Sequence, residues 1–543
     1  MTAVTALPSG PRVLGASLRI TVLGFLADPQ WIISSAMAPV VFALAAFEMY
    51  RFSSPVLVLF AILGGGMMSM WAQTLYGSGW ATGQDRFLGT LEPTLGAPVP
   101  YIWVVAGRVL WNTISGLAGG AVVFLVVAAA YGQPLPIQNI PVFIALFLFV
   151  MVSLSCVGLL FTALFVYSRY AGFVQNIGEF TFYVVTGCMF PILVLPSWTL
   201  PVALAFPPTW ALEGLRQATF PGYQGLSWGL SGDLLGAAIL SVTFVVLSIF
   251  LFRQVVRHLA MKGDVDEYRT GGHVRTAQLR PSFWRNFWVN AVFAPRTSLS
   301  FMRVDFIVGQ IFILSFTQML FFAYVAGLAN NPQTPVAYVV IGNAVATMTY
   351  ASVFSVCGTT DSEKNGGTME HLLVTPANRV ALYLGRGVIP MVISLCTVAV
   401  SMTYAVYVFH VPFPSQAMLP VILSLVLTVV SMVGFGLFLA GVALWLRSSN
   451  ALANIFLFIG FVLAGANFPL SYLPVGLQWG GELLPLTWGI SALRSSLSGA
   501  SLGVLLPLWG ITALEGAASY ALAIGLWGVF ERRAVRTGSI IRF

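Results

Sequence analysis

The chain repeats itself at a constant offset of 278 residues, so whatever fold its first half takes, its second half must take too. Gly89-Thr90-Leu91-Glu92 recurs as Gly367-Thr368-Met369-Glu370, Pro98 as Pro376, and Gly107-Arg108 as Gly385-Arg386. The register still holds far downstream. Phe190-Pro191 matches Phe468-Pro469, Pro196 matches Pro474, Thr209-Trp210 matches Thr487-Trp488, and Leu215-Arg216 matches Leu493-Arg494. A register kept without net slippage over that distance marks a duplicated and fused unit. The expected organisation is a first unit over 1–260, a linker over 261–281 and a second unit over 282–543.

Composition decides the solvent of each unit. Of the 543 residues, 58% are hydrophobic and 8% charged, against roughly 25% charged in soluble domains. A soluble core of this size could not hide so much apolar surface, so lipid must take its place. A helical span needs about 20 apolar residues. Stretches of that kind fall near 31–50, 55–80, 100–131, 139–168, 171–194 and 231–256 in unit one. In unit two they fall near 306–329, 335–357, 379–409, 418–446, 450–470 and 503–530. Ahead of each set lies a mixed stretch, about 11–28 and 282–304, with arginines among Leu, Phe and Trp. That pattern predicts a helix lying in the membrane interface. No cleavable signal peptide is evident, and the first apolar segment reads as a retained span. The expected fold is an all-α polytopic membrane protein of about twelve transmembrane helices in two six-helix repeats.

Charge fixes the orientation. With the N-terminus in the cytoplasm, only Arg51, Arg216 and Arg494 of the 25 Lys and Arg fall outside, as the positive-inside rule requires. Both termini are then cytoplasmic, and an even number of spans per unit makes the two repeats parallel. The net charge of +8 thus reports topology and gives no reason to expect a nucleic-acid partner. The polar stretch between the units, with Lys262, Asp264, Asp266, Glu267, Arg269, Arg275 and Arg280, reads as a cytoplasmic linker.

Chemistry within the chain is sparse. Cys156, Cys188, Cys357 and Cys396 sit in apolar stretches without a CxxC, and His258, His273, His371 and His410 are scattered. Neither a metal site, a disulfide framework nor a catalytic cluster is expected. No GxxxxGK[ST] occurs. Lys364-Asn365-Gly366-Gly367-Thr368 lacks the spacing of a phosphate loop.

The loop between the second and third spans is the most informative local motif. It reads Asp85-Arg86-Phe87-Leu88-Gly89-Thr90-Leu91-Glu92 in unit one and Glu363-Lys364-Asn365-Gly366-Gly367-Thr368-Met369-Glu370 in unit two. An acid is followed by a base, and a second acid comes seven positions later. In a helix seven residues is two turns, so both acids would share one face, and Pro98 or Pro376 would end the segment. A short acidic and apolar helix on the cytoplasmic surface, present twice, predicts a docking element. Arg108 and Arg386, close to the inner face, are expected to snorkel or to pair with these loop acids.

A second motif lies between the fifth and sixth spans. Prolines at 191, 196, 207 and 208, and at 469, 474 and 485, break any continuous helix. The segment is too apolar for a free loop, so a re-entrant pair of short helices is expected. Trp210, Arg216, Trp488 and Arg494 would anchor it at the outer interface or form an outer gate. At membrane depth, Glu179 and Glu515 have no acidic counterpart in the other unit, whereas Asn176 and Asn454 match. A charge at mid-bilayer costs roughly 2.5–3.5 kcal/mol on insertion scales. Each Glu must be neutral, near an interface or facing a polar cavity, and all four are candidates for the substrate path.

Across both halves, the acid-x6-acid loop with Gly-Thr-x-Glu and Pro, the interfacial helix and the proline-broken hairpin resemble the permeases of the type-2 ABC exporter family. The resemblance implies that the loop is a coupling helix seated in a groove of an ATPase subunit. Asp85, Arg86, Thr90 and Glu92, with Glu363, Lys364, Thr368 and Glu370, would make the contact. Asp85-Arg86 also starts like the loop of the major facilitators, which have twelve spans in two parallel halves. Position 88, however, is Leu where that motif needs Gly, and no Arg pair follows. The resemblance implies the permease subunit of an ATP-driven exporter in the plasma membrane, partnered by two separately encoded copies of an ATPase. No cofactor would bind this chain, and ATP with Mg would sit on the partner. Hydrophobic or amphipathic drugs or antibiotics are the expected cargo. A polysaccharide or lipid-linked glycan exporter and a proton-coupled secondary drug transporter are the alternatives.

Overall fold

The structure is a computed structural model that describes residues 9–537, apart from 28, 52, 88, 91–92, 95, 98, 133–136, 138, 168–170, 221, 227, 263–281, 292–303, 359–377 and 446–448. Among the described residues there is no strand, and the chain is all-α, the form in which an apolar segment satisfies its own backbone groups without water. It divides into two compact units, Met1–Thr276 and Ala277–Phe543. The polar stretch expected to link them lies outside the described residues from 263 to 281.

In unit one a first helix, Gly10–Leu26, lies against the start of the Ile102–Tyr131 helix. Ser17 Oγ donates to the Val104 carbonyl at 2.7 Å, and a Cβ on Gly107 would meet the Leu14 carbonyl at 2.7 Å. Ile20, Leu23 and Leu26 stay exposed, the apolar stripe an interfacial helix offers to lipid. The helices Pro29–Tyr50, Pro55–Phe87, Ile102–Tyr131, Ile140–Tyr167 and Ala171–Val185 follow. Two short helices, Leu200–Leu204 and Pro207–Thr219, then precede the long Gly229–Lys262 helix.

Unit two repeats this order. Residues 283–291 are helical, and a Cβ on Gly385 would meet the Phe287 carbonyl at 2.6 Å. Gly385 therefore seats its interfacial helix as Gly107 seats the first. The counterparts of the short helices are Val475–Glu482 and Pro485–Leu497, ahead of Leu502–Thr537. Unit two also has two π-helical segments, Gln310–Leu314 and Tyr350–Phe354. The matching positions in unit one are α-helical.

Nine helices among the described residues are long and apolar enough to cross a membrane, and Met37–Tyr50 and Leu452–Leu463 are shorter apolar helices. The fifth apolar stretch of each unit departs from the expected 171–194 and 450–470. The helices end at Val185 and Leu463, after 15 residues each. That is a rise of roughly 22 Å, below the ~30 Å of a hydrocarbon core. The cause is local: Gly187 and Gly465 take left-handed backbone, with φ of 60° and 67°. The Cys188 N–H then bonds back to the Tyr183 carbonyl at 3.1 Å, the closing bond of a Schellman cap.

Candidate functional site

The loop motif of unit one begins on the last turn of the Pro55–Phe87 helix, where Asp85 and Arg86 lie. Gly89 has φ of 68°, and the Thr90 N–H bonds the Asp85 carbonyl at 2.9 Å, a Schellman cap again. Thr90 then starts a new turn, its carbonyl accepting from the Thr94 N–H at 3.2 Å and the Thr94 hydroxyl at 2.6 Å. The Pro55–Phe87 helix that carries Asp85 therefore stops before Gly89 and does not run on through the motif. The Asp85 carboxylate is also engaged, since Arg108 Nη1 donates to its Oδ2 at 2.6 Å. Both side chains are mostly buried, so this pair fastens the root of the loop to the third span. Glu92, and in unit two Glu363, Lys364, Thr368 and Glu370, lie outside the described residues.

The proline-broken segment forms the expected pair of short helices, and each pair closes on itself. Trp210 Nε1 donates to the Leu204 carbonyl at 2.7 Å, and Trp488 Nε1 to the matching Glu482 carbonyl at 2.8 Å. Each indole thus caps the end of the preceding short helix. The second short helix packs alongside spans of its own unit. A Cβ on Gly236 of the Gly229–Lys262 helix would touch the Trp210 ring at 3.0 Å.

The two arginines point inward. Arg216 is fully buried. Its Nη2 donates to the carbonyls of Gly187 and Cys188 at 2.7 and 2.8 Å, and its Nη1 to that of Phe190 at 3.2 Å. Its guanidinium lies 4.4 Å from the centre of the Phe60 ring. Arg494 repeats the arrangement 278 positions on. It donates to the Gly465 and Ala466 carbonyls at 2.9 and 2.8 Å, and lies 3.3 Å from the Tyr338 ring centre. Gly64 and Gly342 let the second span press on the same carbonyls; a Cβ on Gly342 would run into the Ala466 oxygen. Each arginine therefore clamps three pieces together: the left-handed turn after the helix of the fifth apolar stretch, the second span and the last turn of the re-entrant helix.

Sequence reading missed what surrounds each clamp. In unit one Glu213 Oε1 pairs with Arg216 at 2.8 Å, both wholly buried. Tyr223 donates its hydroxyl to Glu213 Oε2 at 2.6 Å, and burial pushes the Tyr223 pKa up, so the hydroxyl keeps the proton it donates. Gln217 donates to Asp233 at 2.8 Å. Unit two has Ser491, Ser501, Ser495 and Ile511 at these four positions. It carries a different buried ladder instead, in which Gln318 donates to Asn343 at 3.4 Å and Asn343 to Asn467 at 2.7 Å. Unit one has Val40, Gly65 and Met189 there. The signal was present as polar residues that fail the 278 match within otherwise matched segments.

Of the deep polar candidates, Glu179 accepts a hydrogen bond from the Tyr183 hydroxyl at 3.0 Å. Asn176 lies on the same helix. Asn454 is partly buried on the Ser449–Leu463 helix. Glu515 has one carboxylate oxygen enclosed without a hydrogen-bond partner. Among the described residues no hydrogen bond joins Asn454 to Glu515.

Comparison with known proteins bears on the second unit. Residues 289–498 match the family model described as ABC-2 type transporter. The chain is also similar to the probable multidrug ABC transporter permease YbhR of Escherichia coli K12, and equally to its counterpart in Escherichia coli O157:H7. The identity is 27% over 207 residues, covering 35% of this chain and 54% of the relative. The match thus spans about half the length of these relatives. The family-model match runs from the interfacial helix of unit two through both of its re-entrant helices, so this region is similar to an ABC-2 type transporter domain.

Proposed function

We propose that this chain is the permease subunit of an ATP-driven exporter of hydrophobic or amphipathic small molecules. The ABC-2 type transporter match over 289–498 carries the reading. The 278-residue repeat extends it to unit one, so that a single chain supplies two permease units of six spans each. Two copies of a separately encoded ATPase dock on the two loops, one around Asp85, Arg86, Thr90 and Glu92 and one around Glu363, Lys364, Thr368 and Glu370. ATP and Mg are bound by that partner. The chain is read as a multi-pass protein of the plasma membrane, and its Lys and Arg distribution supports placing both termini in the cytoplasm.

The Asp85–Arg108 pair supports a mechanical role for the loop. It ties the docking segment to the second and third spans, so a push from the ATPase reaches the second span, on which the Arg216 clamp also bears. Closure of the ATPase then shifts a two-state equilibrium of the spans through its differential contact with the two states. A drug cargo is favoured by the similarity to a probable multidrug permease.

The test is to purify the chain with candidate ATPases in lipid and measure ATP turnover and dye efflux from vesicles. Turnover stimulated by amphipathic compounds, and efflux that requires ATP, support the reading. Transport driven by a proton gradient with no ATPase present overturns it.

A further inference from the structure

The interfacial helix of unit two carries rings that its counterpart in unit one lacks. Close contacts fix which residues correspond. A Cβ on Gly107 would meet the Leu14 oxygen, the Ser17 Cβ and the Leu18 nitrogen, at 2.7, 2.8 and 3.0 Å. A Cβ on Gly385 would meet the Phe287 oxygen, the Asn290 Cβ and the Ala291 nitrogen, at 2.6, 3.1 and 3.3 Å. The two helices therefore match at an offset of 273, five short of the offset that relates the two glycines. At that offset Gly10, Pro11, Leu14 and Gly15 stand where unit two has Phe283, Trp284, Phe287 and Trp288. Arg12 and Arg285 match, and both are exposed.

The rings touch one another along the helix. Between ring centres, Trp284 lies 5.5 Å from Phe283 and 6.1 Å from Phe287, and Phe287 lies 5.5 Å from Trp288. Their planes are nearly perpendicular, at 90°, 81° and 83°. Trp284 and Trp288 are 67% and 58% exposed. Anchoring in lipid needs only apolar bulk, which Ile20, Leu23 and Leu26 offer in unit one. An edge-to-face pair offers more. It makes a corner in which a guest meets the faces of both rings, and each face is the negative side of a quadrupole. An ammonium group is attracted to such faces, and quaternary ammonium groups are the ligands that aromatic walls recurrently bind. A guanidinium beside them suits a phosphate. This end of the helix is thus complementary to a headgroup that carries a phosphate and a quaternary ammonium together.

We infer that the ring-bearing end of this helix is a binding site for a membrane phospholipid with a phosphocholine headgroup. The trimethylammonium sits against the faces of Trp284, Phe287 and Trp288, and the phosphate against Arg285. The unit-one helix shares the phosphate contact through Arg12 and has no ring corner, so only unit two distinguishes one headgroup from another. The site requires that the helix lie in the membrane interface and takes nothing from the exporter reading. Its binding is measured without ATP, ATPase or cargo, so either can fail alone.

The test places the full chain in nanodiscs of equal parts dioleoyl phosphatidylcholine and dioleoyl phosphatidylglycerol, and counts the lipids each chain retains by native mass spectrometry. The native chain is expected to hold the choline lipid roughly two- to fivefold over the glycerol lipid at its tightest site, the worth of an exposed ammonium on a ring face. Trp284→Leu with Trp288→Leu keeps the apolar bulk and is expected to abolish that preference. Trp284→Phe with Trp288→Phe keeps the rings and is expected to keep it. Trp288→Leu alone serves if the double leucine variant does not fold. Arg285→Gln should weaken retention of both lipids alike, since both carry the phosphate. Equal retention of the two lipids by the native chain, or an undiminished preference in whichever leucine variant folds, overturns the site. Loss of the choline lipid alone on Arg285→Gln overturns the division of roles between the rings and the arginine.

Discussion

At the residue scale, the two arginine clamps share a geometry and differ in charge. Arg216 has a buried carboxylate beside it, whereas Arg494 has Ser491 at that position and no ion pair among the described residues. Removing one partner of a buried pair costs roughly 3–5 kcal/mol, because the other charge is left uncompensated. Glu213→Ala should therefore lower the thermal unfolding temperature of the purified chain far more than Ser491→Ala. Equal shifts would mean that the Glu213 carboxylate adds nothing to the clamp. The Asp85–Arg108 pair is more exposed, with side chains 14% and 19% accessible, so its worth is smaller. A double-mutant cycle of Asp85→Ala and Arg108→Ala should give a coupling of about 0.5–1 kcal/mol. Additive effects would show that the pair does not hold the loop.

At the scale of elements, helix ends rather than helix middles set the architecture. The apolar runs, the interfacial helices and the proline-broken hairpins were all legible in the sequence, because each rests on a local pattern. The early stop of the Ala171–Val185 helix was not. Residues 186–194 are as apolar as the helix before them, and only the left-handed turn at Gly187, held by an arginine 29 positions away, tells where the helix ends. The break at Gly89 was hidden for the same reason: an acid-x6-acid spacing suits one helix as well as two. The clamp's dependence on close approach gives a test at this scale. Gly342→Ala would force a methyl against the backbone oxygen of Ala466, which cannot swing aside. Overpacking of this kind costs typically about 1–3 kcal/mol. Thermal unfolding should register the loss, and an unchanged unfolding temperature would mean that the second span does not press on this turn.

At the scale of the whole molecule, the two units follow one order of helices with different interiors. Unit one carries a buried acid and base; unit two has an amide ladder and two π-helical segments. Matched positions led the sequence reading to the shared scaffold, and the unmatched ones, which carry the individuality of each unit, needed coordinates to acquire partners. The same logic separates docking from folding. Glu92→Ala combined with Glu370→Ala should weaken ATPase binding and leave the unfolding temperature of the chain unchanged. The central claim is that one chain supplies both docking loops. Its most direct test is the mass of the purified complex in lipid, with the ATPase in excess. The account predicts one chain with two ATPase copies and ATP-dependent efflux. A chain that transports without binding any ATPase, or that must pair with a second copy of itself before an ATPase binds, would contradict it.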